Sequence, residues 1–179
     1  MDTSGPLLVT ERLELWRPRV GDHEGLHDLL QPEETRRFLG GMGADRADSF
    51  ARLLRNAGSW QLYGYGSVII RLRGKQPIVG ICGVFHSWRG FGQGMDDVPE
   101  AGWIVGRDHW GQGIAGEAMH GILDWFDKSP HAGRVACMIE EGNAPSQALA
   151  RTLGFVEYDR HYMEADAVLV LYERGKPDV

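Results

Sequence analysis

With 179 residues and a formal net charge of −6, the chain is one domain's worth of sequence, able to bury about 70% of its unfolded surface without a disulfide or metal staple. The acidic balance argues against a nucleic-acid partner, which would want a cationic surface, and no apolar run approaches the ~18 residues of a membrane span. Cys82 and Cys137 each lie in an apolar run and the first residues lack a signal-peptide pattern, so reduced thiols and a cytoplasmic location are expected.

Taken in order, Glu11 to Arg17 alternates apolar and polar residues and predicts a strand. Asp22 is placed to cap a short helix carrying Leu26, Leu29 and Leu30. A second helix is expected from Asp48, with Phe50, Leu53, Leu54 and Ala57 at helical spacing. Two strands, 66–71 and 78–85, follow around a turn at Gly74, and the glycine-rich stretch from Ser87 to Pro99 reads as a loop. Within it, residues 89–94 are expected to be mobile and to gate an acceptor.

The segment from Glu100 onward reads as a βαβ unit. A strand over 100–105 leads through Trp110-Gly-Gln-Gly-Ile-Ala115 into a helix with Ala115, Ala118, Met119, Ile122, Leu123 and Phe126 on one face. Ser129-Pro130 stops that helix, and 134–139 is a strand parallel to the first. Asn143 then caps a helix with Pro145 in its first turn and Gly154 at its end, and strands over 155–162 and 167–173 close the chain. The sum is one α+β domain over residues 1–179, a mixed sheet with helices on both faces.

Gly111 and Gly113 lie between a strand and a helix start. Without side chains they let backbone N–H groups approach a pyrophosphate at the positive end of the helix. A tight turn with no ligand is the alternative. The same residues spell Gly111-x-Gly113-x-x-Gly116, the nominal dinucleotide fingerprint. Against that reading, too few residues follow for the second half of a doubly wound sheet, and Arg107 to Trp110 separates the glycines from the strand.

Four segments together resemble the GNAT family of N-acetyltransferases, particularly its RimJ/RimL-type branch of ribosomal-protein alanine acetyltransferases. They are Thr10 to Arg17, Ile78 to Gly83, Glu100 to Ala118, and Asn143-Ala-Pro-Ser146 through Leu153-Gly-Phe155. The resemblance implies a GNAT fold with a mostly antiparallel sheet of about seven strands and a splayed parallel pair that takes acetyl-CoA. It implies that Trp110, Gly111, Gln112, Gly113, Ala115 and Gly116 surround the pyrophosphate, and that Ile104 and Val105 bond the pantetheine arm through their backbones. Asn143 and Ser146 would flank the thiol end. The expected partner is an amine acceptor, either a protein N-terminus or a small molecule, and a homodimer through the closing strands is a further expectation.

Acetyl transfer needs a neutral amine. A peptide α-amine, with a pKa of about 7.7–8.0, supplies one readily, whereas a lysine near ~10.4 is far scarcer as the free base. By the family resemblance Glu100 is the candidate base, the alternative being a plain strand-start carboxylate. Many family members carry a proton-donating tyrosine where this chain has Ala150, so Ser146 becomes the candidate donor to the leaving sulfur, with Tyr158 and Tyr162 behind it. Ser146 as a first-turn helix residue is the competing reading. The missing tyrosine keeps a catalytically silent acyl-CoA-binding domain open beside the enzyme. Glu117-x-x-His120 is half of a metal-binding helix motif without a second copy, and no metal is expected.

Overall fold

The computed structural model describes residues 5–40, 45–163 and 167–175. Its first hairpin pairs β1 (Leu8–Val9) with β2 (Leu13–Trp16). In β2, Leu13 and Leu15 are buried and the residues between are half-buried, the alternation expected of a strand with one core face. A 3-10 turn at Val20–Asp22 leads into α1 (His23–Leu30) and the single turn α2 (Glu33–Arg36). The long helix α3 (Arg46–Tyr63) starts at Asp45, whose side chain accepts from the Asp48 amide at 2.7 Å, and it ends on left-handed Gly64.

β3 (Ser67–Leu72), β4 (Ile78–Trp88) and β5 (Asp96–Val105) form a meander. Then come α4 (Ile114–Asp127), β6 (Val135–Glu140), α5 (Ala144–Thr152), β7 (Val156–Tyr162) and β8 (Val168–Arg174). The strand order is β1-β2-β3-β4-β5-β6-β8-β7, and among the described residues only β5 and β6 run parallel. The α+β fold is as expected, with an eighth strand because the short β1 precedes the predicted first strand and pairs with it across a turn closed by Thr10 N–H to Leu13 C=O. Such a sheet is not the parallel, doubly wound one that a dinucleotide enzyme needs, so that rival falls.

Two apolar cores lie on opposite sheet faces. Val68, Ile70 and Cys82 face the buried side of α4, with Ala118, Met119, Ile122, Leu123 and Phe126, and with Ala150 of α5 and Leu153 just after it. Ile69 and Ile81 face Leu26 and Leu29 of α1 and Leu53 of α3. Both cysteines are free and buried, and burial pushes both thiols up, so they pack as neutral groups. No helix among the described residues is long and apolar enough to cross a membrane.

Three local expectations are corrected. Asp22 precedes α1 without capping it: its buried carboxylate pairs with Arg71 at 2.6 Å and accepts from the Arg19 amide. On α3 the buried stripe is Ser49, Leu53, Asn56 and Ser59, leaving Phe50 and Leu54 outside. Residues 89–94, expected to be mobile, are pinned to β7. Phe91 stacks on His161 at 3.8 Å, Gln93 donates to Asp159 at 2.7 Å, and Tyr158 donates to the Gln93 carbonyl.

Gly80 lies in β4 opposite Val105. A Cβ there would come within 2.7 Å of the Ile104 carbonyl and 3.1 Å of the Ile70 side chain. Gly80→Ala should therefore cost about 1–3 kcal/mol of stability by overpacking, read as a lower urea midpoint at unchanged m-value. An unaltered midpoint would mean that β4 and β5 tolerate a wider spacing.

Candidate active site

β5 and β6 touch at one register position, Glu100 opposite Ala136, and no further pairing follows. Ala101 to Val105 and Cys137 to Glu140 therefore run on without a shared ladder. Parallel strands adjacent in a sheet ordinarily bond at regular intervals, so a gap opens beyond Glu100 with strand backbone along it.

The β4 ladder decides which backbone groups face that gap. Gly106 N–H donates to the Val79 carbonyl at 2.9 Å, in register with Gly80 opposite Val105. Because bonded and non-bonded pairs alternate in an antiparallel ladder, Ile104 and Gly102 bond back to β4, while Ala101, Trp103 and Val105 turn their peptide groups toward β6. Of the two residues expected to hold a pantetheine arm, Val105 thus presents its backbone to the gap. Ile104 instead directs its carbonyl toward Gly80 and packs its side chain against the α1 face.

At the far end of the gap the chain turns through a 3-10 segment, Arg107–His109, into the glycine loop. Arg107 pairs with Glu34 at 2.6 Å, fastening the segment to α2. The Trp110 indole N–H donates to the Val105 carbonyl at 2.7 Å and so ties the loop to its own strand. Gly111 and Gly113 have φ of 71° and 74°, left-handed conformations that favour glycine. Gly113 is the N-cap of α4 and supplies no side chain to its first-turn amides. A Cβ at Gly111 would meet nothing within 4 Å. An uncapped helix N-terminus with open space beside Gly111 fits an anion such as a pyrophosphate. Gln112 lies between the two glycines, and Ala115 and Gly116 lie in the first turn of α4.

Across the gap, Asn143 caps α5 by accepting from the Ser146 amide at 3.3 Å. The Trp103 indole N–H reaches from β5 to the Ser146 hydroxyl oxygen, also at 3.3 Å. Since that oxygen accepts from the indole, the Ser146 proton is free to be donated elsewhere. Trp103 thus bridges the two sides where the strands part. Ala150 is fully buried in the core under α5, and the Tyr158 hydroxyl is committed to Gln93.

Glu100 sits at the apex and is 3% exposed. Its Oε2 accepts from Ser87 at 2.6 Å and from Arg89 Nε at 2.7 Å, and its Oε1 accepts from Arg89 Nη2 at 2.5 Å. Ser87 and Arg89 are the functional-looking residues that sequence reasoning missed; both fall in a stretch read as loop, where nothing fixes a side chain's direction. Arg52 of α3 lies close by. Its pKa is lowered to about 10, first by burial and then by the charges of Arg55 and Arg89. Glu117 turns to Thr10 and Arg12, and His120 is exposed.

The parting of β5 from β6, the glycine loop at the uncapped start of α4 and the capped start of α5 thus adjoin one another in the fold. The family model described as Acetyltransferase (GNAT) domain matches residues 12–156. The chain belongs to that family, and is an acyltransferase that uses acetyl-CoA. Its fold is similar to a GnaT-family acetyltransferase from Bordetella pertussis, 32% identical over 93% of this chain and 98% of that one, with a TM-score of 0.82. In sequence it is similar to the N-acetyltransferase p20 of Bacillus licheniformis, 24% identical over 94% of this chain and 88% of that protein. It also shares its fold with RimL, a ribosomal-protein α-N-acetyltransferase solved with coenzyme A, at 16% identity, 94% and 97% coverage and a TM-score of 0.75.

Breaking a buried pair by neutralising one partner costs about 3–5 kcal/mol, because the other charge is left uncompensated. Arg89 is partly exposed, so Glu100→Gln should lose about 3 kcal/mol in denaturant unfolding. The pH profile of kcat/KM should keep its shape in that variant. Loss of the acidic limb of the profile at unchanged stability would instead identify Glu100 as the general base.

Proposed function

We propose that the protein acetylates a primary α-amine, of a peptide or protein N-terminus, by direct attack on acetyl-CoA in a ternary complex. Acetyl-CoA supplies an activated thioester carbonyl; the chain supplies position, a proton for the departing sulfur and exclusion of water. The single observation that carries the acceptor class is the engagement of Glu100. Both carboxylate oxygens are occupied by Arg89 and Ser87, so an incoming ammonium finds no free base there. A site without a strong base favours an amine that is neutral on its own. At neutral pH the α-amine exceeds lysine in that respect by roughly two to three orders of magnitude. The α-N-acetyltransferase activity in RimL's name supports the same choice.

In this reading Glu100 holds Arg89 in place at the apex, and the backbone groups of Val105 and Trp103 align the pantetheine arm. The loop Trp110, Gly111, Gln112 and Gly113, with the amides of Ala115 and Gly116, receives the pyrophosphate. Asn143 fixes the first turn of α5, and as the C–N bond forms and the C–S bond breaks, Ser146, its oxygen already accepting from Trp103, gives its proton to the departing sulfur and regains one from the attacking amine. Most of the rate enhancement then comes from positioning and carbonyl polarisation.

One observation favours a second reading: Ala150 offers no proton where many family members place a tyrosine, which a silent acyl-CoA-binding domain would tolerate. Thiol release from acetyl-CoA separates the two. The enzyme should release coenzyme A with a free-N-terminal peptide, and far less with an N-blocked lysine peptide. Ser146→Ala should then lower kcat roughly 10²-fold, the lower range for a positioned acid, at nearly unchanged KM for acetyl-CoA. Release with neither peptide would favour the silent domain; full turnover in Ser146→Ala would reduce the serine to a helix-cap residue.

A further inference from the structure

The turn between β1 and β2 and the glycine loop are bonded together across a sequence separation of 100 residues. Arg12 Nη1 donates to the Gln112 carbonyl at 2.8 Å. Its Nε donates to Glu117 Oε2 at 2.6 Å, and its backbone N–H to Glu117 Oε1 at 2.8 Å. Thr10 adds its hydroxyl to the same Oε1 at 2.5 Å. A Cβ placed on Gly113 would stand 3.5 Å from Arg12 Nη2, so the guanidinium lies against the loop itself.

We propose that Arg12 is a positioning residue for acetyl-CoA binding, acting through the loop and through Glu117. The proposal rests on the reading that residues 110–116 receive the pyrophosphate. Two physical effects carry it. A trans peptide is planar, with its C=O and the following N–H directed oppositely. Drawing the Gln112 carbonyl toward Arg12 therefore turns the Gly113 N–H away from Arg12, toward the open side of the loop. The second effect is charge. Glu117 stands in the first turn of α4, where its carboxylate would repel a bound phosphate. Burial works to raise its pKa, but hydrogen bonds from Thr10 and Arg12 and the charge of Arg12 outweigh it and hold the group ionised. Arg12 compensates that negative charge at the helix end that must accept an anion.

The test compares two donors on the full-length chain, acetyl-CoA and S-acetyl-pantetheine, which lacks the pyrophosphate and nucleotide. Arg12→Ala should raise KM for acetyl-CoA about tenfold, the scale of one lost charge-assisted hydrogen bond, with kcat and the KM for S-acetyl-pantetheine little changed. Adding Glu117→Gln to Arg12→Ala should recover part of the loss, because the uncompensated carboxylate is gone. Arg12→Lys, which cannot span both partners, should fall between wild type and Arg12→Ala. If Arg12→Ala lowers the melting temperature and weakens both donors equally, Arg12 is a structural residue and the proposal is overturned alone. A wild-type chain that uses S-acetyl-pantetheine as well as acetyl-CoA would overturn the pyrophosphate assignment and this proposal with it.

Discussion

Where β5 leaves β6 beyond Glu100 and Ala136, the sheet forgoes ladder hydrogen bonds that would each contribute about 0.5–1.5 kcal/mol. Strands do not part inside a sheet without something holding them open. On the β5 side, β4 keeps the strand in a ladder running from Asp96 to Val105. On the β6 side, β8 pairs along the whole strand, from Val135 to Glu140. At the apex, Glu100 is fixed by Arg89 and Ser87. Across the gap, the Trp103 indole spans to Ser146. Each strand is thus secured by its outer neighbour, and the unpaired inner edges become a place where a ligand's amides can substitute for the missing strand.

The helices follow from the same parting. α4 crosses from the end of β5 to the start of β6 and buries its apolar face on the sheet, which brings its uncapped N-terminus to the mouth of the gap. α5 leaves the end of β6 and returns its capped N-terminus to the opposite side. A helix end rich in free N–H groups and a hydroxyl with a free proton therefore stand along one cleft, although the net charge of the chain is negative.

Much of this was legible in the sequence because it is local. Helical spacing marked α4, Asn143 and Pro145 marked the start of α5, and the two glycines marked the strand-to-helix turn. What remained hidden depends on distance or direction. Nothing in a linear reading joins Thr10 and Arg12 to Glu117, since only the β1–β2 turn brings them together. Glu100 was visible as a strand-start carboxylate, but its arginine partner lay in a stretch read as loop. That stretch was shorter than it looked: Asp97 adopts a positive φ of 55° inside β5, so Gly and Asp residues there signalled a loop where a strand continues. The choice between Ile104 and Val105 turned on ladder alternation, which requires a register, and no periodicity of side chains reveals it. Phe50 and Leu54 have helical spacing yet lie outside, because hydrophobic periodicity finds a stripe without saying whether it is covered.

The most direct measurement of the central claim is a thermal-shift comparison of acetyl-CoA, coenzyme A and NAD on the wild-type chain. A ligand at a hundred times its dissociation constant stabilises by about 2.7 kcal/mol, a shift of several degrees for a domain of this size. The cleft at the β5–β6 parting predicts stabilisation by acetyl-CoA and coenzyme A and none by NAD. Stabilisation by NAD alone, or by none of the three, would contradict the assignment of that cleft.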